Sequence, residues 1–405
     1  MGDRLTIRDH TAKLVVLGVN FVSRLTGRGS GTVIGGRLGL QVSPGLLTSL
    51  SRNRSIVLVS GTNGKTTTTS MVVAGWGPGT ATNATGANMP AGHVAALSAD
   101  ASPQTVLEVD EAWLPVVLSA TRARVVVLLN LSRDQLDRAN EVRLMAERWR
   151  AALANVGAGS MTVVANANDP LVVYAALGAA QVLWCDVPTT WLADATSCPM
   201  CTGVIEFDGS DWRCVCGFHR PEVITTALGD ELTIGGVTVG LALAMPGEFN
   251  RANAAMALTA LGVFGVSPTE AVGRINAVDN VAGRFSLRHW QGHAIRLLLA
   301  KNPAGFTAML STIPYDDSDV WIAINARIAD GRDPSWLYDV GFESLRGHRV
   351  FCLGDRRLDL ATRLDYAGVD FVVVNDESHL QSGDEPVRLL ANYTAFSDWL
   401  ARSSP

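Results

Sequence analysis

Two rhythms of apolar and polar positions run along this chain: short unbroken apolar runs that end in polar turns, and longer stretches with helical spacing. Ile56-Val57-Leu58-Val59 is of the first kind and predicts a buried strand, which breaks into Gly61-Thr62-Asn63-Gly64-Lys65-Thr66-Thr67, a loop opening a helix. Thr105 to Glu111 predicts a second strand that ends in Glu108, Asp110 and Glu111. Val125 to Asn130 predicts a third, followed by a helical pattern from Asn140 to Ala154 and a strand from Met161 to Asn166. Strand and helix in alternation predict an α/β fold with a mostly parallel sheet and helices on its faces. Ligands of such sheets gather beyond the carboxyl ends of the strands, where Lys65, Glu108, Asn130 and Asn166 all fall.

The rhythm is interrupted near residues 195–222 and restarts from about 291, with strands expected at Ile295–Ala300, Val320–Asn325, Val350–Leu353 and Phe371–Asn375. The expected organisation is a leader over 1–45 packed on the core, a central nucleotide-binding domain over 46–290 carrying the interruption as an insertion, and a smaller Rossmann-like α/β domain over 291–405. In the leader, the apolar run Leu14–Val22 is far short of the ~20 residues that span a bilayer. It is expected to form a helix packed on the main body, with contact to a membrane surface as the second reading. Met1–His10 is charged and lacks the apolar core of a secretory signal, so a cytoplasmic protein is expected.

The turn after the first strand has phosphate chemistry. Glycines let backbone N–H groups approach an anion, the helix start adds its dipole, a lysine reaches the outer phosphates and a hydroxyl can ligate magnesium. Those last two roles fall on Lys65 and Thr66. The general pattern is incomplete, because Val59 stands where a glycine belongs five residues before Gly64, and a plain polar strand-to-helix turn is the alternative. Glu108 and its neighbours at the next strand end suit a magnesium ion or a base, or equally a solvated strand end.

The interruption contains Cys198-Pro199-Met200-Cys201 and, twelve residues later, Cys214-Val215-Cys216, separated by hairpin chemistry around Asp208-Gly209-Ser210-Asp211. Two cysteine pairs bridged by a hairpin predict a zinc ribbon, with four thiolates at about 2.3 Å from a structural metal. The second pair has one intervening residue, and His219 is a possible substitute ligand. Disulfides or loose thiols are the alternative. Asp194, Glu206, Asp208, Asp211 and Glu222 outweigh Arg213 and Arg220, which argues against nucleic acid as the ribbon's partner.

Composition narrows the classes. A 405-residue chain that is 47% hydrophobic can build sizeable cores, and a formal net charge of -5 without a long basic run gives no support to nucleic-acid binding or polybasic membrane docking. Lysine occurs only at Lys13, Lys65 and Lys301, which makes Lys65 the one lysine of the central domain. Asn250 and Asn253 sit three apart at a helix start, suited to an adenine edge or to ordinary capping. The loop Asp330–Asp339 is dense in charge and aromatic surface, as a docking or catalytic loop would be.

GTNGKTTT, EVDE, NLSRDQLDR and GEFNRANAAMAL together resemble the ATP-binding core of the Mur ligases, which join amino acids to peptidoglycan precursors. KNPAG, DGRDPSW, the ribbon and NATGANM narrow the resemblance to the MurT-type ligase subunits of lipid II isoglutaminyl synthases, over nearly the whole chain from about residue 30. The resemblance implies ATP-dependent amidation of the α-carboxylate of D-glutamate in lipid II, through an acyl phosphate, at the inner face of the membrane. Ammonia would come from a GatD-like glutamine amidotransferase bound as a heterodimer. ATP would be held by Gly61 to Thr67, Asn250 and Arg284, and magnesium by Thr66 and Glu108. Lys65 and Glu108 would serve the chemistry, and Asp339 would complete the glutaminase triad, with Asp330 and Asp333 in reserve. Asp134-Gln135 stands where the amino-acid-adding enzymes have Asp-His, and no lysine is present for a carbamylated second-magnesium site. Gly341 replaces an acid of the related pattern. A free-standing Mur-like or folylpolyglutamate-type amino-acid ligase, and a nucleotide-dependent scaffold, are the rival readings.

Overall fold

The computed structural model describes residues 5–25, 32–83, 87–133, 142–157, 159–189, 191–279, 285–315, 319–375, 380 and 386–404. The chain separates into two units, one holding Met1–Leu131, Val142–Ala244 and Glu248–Val278, the other Ser132–Glu141, Met245–Gly247 and Asp279–Pro405.

The first unit opens with helices α1 (Ile7–Leu25), α2 (Thr32–Val42) and α3 (Leu46–Ser51). An α/β succession follows: β1 (Ser55–Ser60), α4 (Lys65–Trp76), β2 (Thr80–Thr82), α5 (Pro90–Ala99), β3 (Gln104–Glu108), α6 (Leu114–Thr121), β4 (Val125–Leu128), α7 (Val142–Ala154), β5 (Thr162–Asn166), α8 (Pro170–Ala176) and β6 (Val182–Asp186). A two-stranded hairpin, β7 (Ile205–Asp208) and β8 (Asp211–Cys214), precedes the meander β9 (Thr225–Leu228), β10 (Glu231–Ile234) and β11 (Val237–Gly240). Helices α9 (Glu248–Gly262) and α10 (Pro268–Asn276) close the unit.

Among the described residues the main sheet has nine strands in the order β11-β10-β9-β6-β5-β4-β1-β3-β2. From β2 to β9 the pairs are parallel, and the meander is antiparallel. The apolar runs are what a sheet covered on both faces demands: every residue of β4 and β5 is buried. Registers Val59↔Glu108, Ser60↔Leu128 and Leu128↔Ala165 bring the carboxyl ends of β3, β1, β4 and β5 to one edge.

The expected leader helix is α1, and it packs where helices approach closely. A Cβ on Gly35 or Gly39 of α2 would meet the Asn20 side chain at 2.1 Å or that of Val16 at 2.4 Å, so glycine is required for this contact. Buried Asp9 ties α1 down by accepting from Ser43 Oγ at 2.7 Å and Ser49 Oγ at 3.0 Å. Burial alone would raise its pKa, but bonds from Ser43, Thr6 and Ser49 outweigh it and bring the carboxyl to about 2.

The second unit has β12 (Leu287–Trp290), β13 (His293–Leu299), α11 (Pro303–Leu310), β14 (Val320–Ala323), β15 (Arg349–Leu353), α12 (Arg357–Ala367), β16 (Asp370–Val373), β17 (Val387–Ala391) and α13 (Tyr393–Arg402). Its sheet order is β12-β13-β17-β14-β15-β16. The core centres on Trp290, Trp321 and Trp399, whose rings lie 5.1–6.2 Å apart in edge-on and tilted pairs.

Candidate active site and cysteine centre

β1 delivers the chain to the expected phosphate loop. Gly61 and Gly64 take φ of 145° and 87°, the left-handed region that glycine reaches without steric cost. At Gly64 there is also no room for a side chain, since a Cβ would lie 2.5 Å from Asn253 Oδ1. α4 begins at Lys65, so the first-turn N–H groups of Lys65, Thr66 and Thr67 belong to the free end of a helix.

Lys65 is 6% exposed. Its ammonium donates to the carbonyls of Gly61 at 2.5 Å and Thr62 at 3.1 Å, and lies 3.0 Å from Glu111 Oε2. The sequence reading put weight on Glu108 and did not anticipate this pairing. Glu108 is buried, with its N–H bonded to Asn83 Oδ1 and its carbonyl accepting from Asn83 Nδ2 at 2.9 Å and His93 Nε2 at 2.8 Å. Its carboxylate bonds to no described residue, which leaves its oxygens available to a cation; half-buried Thr66, one residue beyond Lys65, supplies a neutral hydroxyl. Both are oxygen donors, the chemistry that a hard ion such as magnesium takes.

Asn130, just beyond β4, holds the loop from the other side. Its side chain accepts from Asn63 N–H at 2.9 Å and donates to Asn63 carbonyl at 3.0 Å, while its own carbonyl accepts from Thr62 N–H at 3.0 Å. One turn inside α9, Asn253 accepts from Thr68 Oγ at 3.1 Å and touches Asn250, which is 1% exposed. Asn250 thus shares a buried side-chain network with α4. Arg284, also expected at the nucleotide, lies outside the described residues, as do Asp134 and Gln135.

Asn166 Nδ2 donates to Leu129 carbonyl at 3.1 Å, and Asp169 caps α8 while accepting from Leu131 N–H at 2.9 Å. Burial pushes the Asp169 carboxyl up to about 6 against the pull of its three backbone N–H bonds.

The four cysteine sulfurs of the hairpin insert lie within 4.8 Å of one another. Cys198 to Cys216 is 3.7 Å and Cys201 to Cys214 is 3.5 Å. Thiolates at about 2.3 Å from a tetrahedral zinc would be about 3.8 Å apart, so the set fits that ion. These are distances between free thiols, not disulfides. His219 bonds to Gly217 carbonyl and is not part of the group. The insert is seated firmly: Trp212, 1% exposed, donates to Ala167 carbonyl at 2.9 Å, and Arg220 reaches Asn168 Oδ1 at 2.8 Å and Asp186 at 3.0 Å.

In the second unit, the three aspartates of the charged loop have different surroundings. Asp330 is buried and occupied by Thr394 N–H at 2.8 Å, the Thr394 hydroxyl and Arg327 N–H. Asp333 accepts from Ser335 N–H at 2.9 Å, a bond that lowers its pKa. Asp339 is held less closely: it is 35% exposed and lies 3.6 Å from Arg133 of the same unit. Exposed Tyr338 and Tyr366 lie nearby in the chain's surface, 6.4 Å apart.

The sequence profile of the Mur ligase middle domain matches residues 59–261, from the last two residues of β1 to the penultimate residue of α9. The chain belongs to the Mur ligase family. The profile of the MurT ligase C-terminal domain matches residues 299–396. A Staphylococcus aureus (strain COL) protein named lipid II isoglutaminyl synthase (glutamine-hydrolyzing) subunit MurT is 28% identical over 394 residues, 90% of this chain and 88% of its own length. The protein of that name from Streptococcus pneumoniae (strain ATCC BAA-255 / R6) is 27% identical over 431 residues, 94% of this chain and 93% of its own. Among solved structures, a pseudomurein peptide ligase type C from Methanothermus fervidus superposes with a TM-score of 0.64 at 18% identity, covering 85% of this chain and 77% of its own. MurF from Acinetobacter baumannii gives 0.62 at 15% identity, over 90% and 79%. The expected Mur ligase-like α/β fold and the MurT-type resemblance are borne out together.

Proposed function

We propose that the chain is the ATP-dependent carbon–nitrogen ligase subunit of a glutamine-hydrolysing lipid II isoglutaminyl synthase, working in peptidoglycan synthesis. The α-carboxylate of D-glutamate in lipid II attacks the γ-phosphorus of ATP, an O–P bond forms and ADP leaves. Ammonia then adds to the acyl carbon, the C–O bond to phosphate breaks, a proton is lost and D-isoglutamine remains. A carboxylate is a poor electrophile at neutral pH, and the phosphate supplies its leaving group. The observation that carries this reading is the pairing of a Mur ligase phosphate loop with a MurT-type second unit in one chain.

Phosphoryl transfer is chiefly charge neutralisation and alignment. Lys65 brings a buried cation to the loop, the N–H groups of Gly61 to Thr67 bind the phosphates, and Asn250 and Arg284 bind the nucleotide. Thr66 and Glu108 would hold magnesium, which offsets phosphate charge when bound. Cys198, Cys201, Cys214 and Cys216 would hold a structural zinc; all four positions are protein ligands, so no open position remains for chemistry. Asp339 would orient the histidine of a GatD-like glutaminase, an assignment favoured by its exposure and by the internal bonding of Asp330 and Asp333.

The test is to purify the chain with a co-expressed glutaminase partner and supply lipid II, ATP and either glutamine or an ammonium salt. Amide should form from both nitrogen sources with the partner, and from ammonium alone without it. Addition of an amino acid in the absence of any partner would overturn the reading in favour of a free-standing ligase.

A further inference from the structure

Helix α1 buries one face and exposes apolar side chains on the other. Asp9, Ala12, Val16 and Asn20 point inward and are buried. On the opposite side, Ile7, Leu14, Phe21 and Leu25 are 87%, 70%, 64% and 71% exposed. At 1.5 Å per residue this row runs for about 27 Å. Ile34 and Leu38 of α2, one position before the glycines that press against the inward face of α1, are exposed as well, at 58% and 37%. Isolated exposed leucines are ordinary, but an apolar row along a whole helix marks a contact surface.

The charge around this row selects the contact. The described residues 5–42 carry Arg8, Lys13, Arg24 and Arg37, and their one acid, Asp9, is buried in bonds to Ser43 and Ser49. By helical position Arg8 flanks one side of the row, and Lys13 and Arg24 the other. A chain of net charge -5 thus carries, among the described residues of α1 and α2, four cations and no exposed acid. A second copy meeting this face would bring the same cations against one another. An apolar ridge edged by lysine and arginine is the pattern of a helix lying in the interface of an anionic bilayer.

We propose that the outward face of α1 docks the protein on the surface of an anionic lipid bilayer. No described helix is long and apolar enough to cross a membrane, so the association is peripheral. The helix is braced by Asp9 and by the glycine contacts of α2, so docking requires no refolding. The proposal deepens the reading of a lipid-linked substrate: the unit that holds the phosphate loop would be carried by the surface in which that substrate is anchored.

The test is co-sedimentation of the full chain with vesicles of phosphatidylglycerol or of phosphatidylcholine, neither containing lipid II. The expected result is binding to phosphatidylglycerol that weakens with salt, and at least tenfold weaker partition for a Leu14→Glu/Phe21→Glu variant. Neutralising Arg8, Lys13, Arg24 and Arg37 to glutamine should cost up to ~5-fold per cation and remove the lipid preference. The double-glutamate variant alters exposed side chains, whereas Lys13 is half-buried and Arg8 donates to Val42 carbonyl, so unchanged circular dichroism and melting temperature check that both variants fold; Phe21→Ala, with an intermediate loss, is the milder control. Absence of binding to phosphatidylglycerol, or equal binding by the wild type and the double-glutamate variant, would overturn the proposal. So would a dimer in sedimentation velocity that the double-glutamate variant breaks while vesicle binding is absent. Because these vesicles hold no substrate, their result stands apart from the proposed activity, which is read with a water-soluble lipid II analogue and should be unchanged in the variants.

Discussion

Lys65 and Glu111 form an ion pair at 3.0 Å, with side chains only 7% and 14% exposed. On the proposed reading, an incoming phosphate would share or displace this carboxylate, and the pair holds the lysine at the loop before ATP arrives. Lys65→Ala should lower ATP affinity on the order of a hundredfold, as expected for losing a contact to a charged group. It should also cost about 3 kcal/mol of stability by leaving Glu111 unpaired. Lys65→Met/Glu111→Leu should recover much of that stability but none of the affinity. Calorimetric titration beside denaturant melts separates the two effects; equal recovery of both would contradict the account.

His93, fully buried behind β3, donates through Nε2 to Glu108 carbonyl, and burial pushes its pKa down to about 4 despite that bond. The folded imidazole therefore stays neutral where the unfolded one, near 6.5, takes up a proton. Its contribution, roughly 3 kcal/mol, is complete above pH 6.5 and is lost as pH falls towards 4. Asp169 acts with the opposite sign: its carboxyl, raised to about 6, contributes stability at low pH that is lost as pH rises through that value. His93→Gln keeps the donor without the titration. Urea melts between pH 7.5 and 5 should show a smaller acid loss in this variant, and identical pH dependence would refute the assignment.

The cysteine insert is fastened to the sheet edge through Trp212 on Ala167 and Arg220 on Asn168. The fit of the four sulfurs predicts one zinc per chain, measurable by elemental analysis. Removing it with a chelator, or making Cys214→Ser, should raise amide exchange both in 198–216 and at Ala167–Asp169. Asp169 in turn holds Leu131 N–H, next to the Asn130 that locks the phosphate loop. Exchange confined to the insert would show that the ribbon does not brace this edge.

Asp339→Asn removes the charge proposed to orient the partner's histidine while keeping the side chain's shape. Glutaminase activity of the complex should fall by orders of magnitude, and amidation from ammonium salt should persist. Unchanged glutamine hydrolysis would move the role elsewhere. Asp333 would then come next, since Asp330 is already engaged by Thr394 and Arg327.

Several features were legible because local chemistry determines them. Strands buried on both faces read as unbroken apolar runs: β1, β4 and β5 fall within one or two residues of the expected spans, while β3 ends at Glu108, three residues before the expected end. Two close cysteine pairs around a turn sequence have few ways to fold, and their sulfurs converge. Relations across long sequence distances were not legible. The amide pair Asn63–Asn130 spans 67 residues, and neither asparagine alone announces its partner. Which acid of Glu108-Val109-Asp110-Glu111 meets Lys65 depends on the turn after β3, not on strand alternation. The meander β9–β11 escaped because its four-residue strands are partly exposed and rich in threonine. The place of β17 between β13 and β14 is a matter of crossover, which periodicity does not encode. The leader's apolar run predicted a packed helix, but α1 is apolar towards solvent as well.

The central claim is that the carboxylate is activated by phosphorylation before ammonia attacks. It is tested most directly with lipid II carrying oxygen-18 in the α-carboxylate of its D-glutamate, incubated with the complex, ATP and glutamine. The account predicts that the label appears in the inorganic phosphate as amide forms, and that both signals vanish in Lys65→Ala. Amide formation with unlabelled phosphate would contradict it.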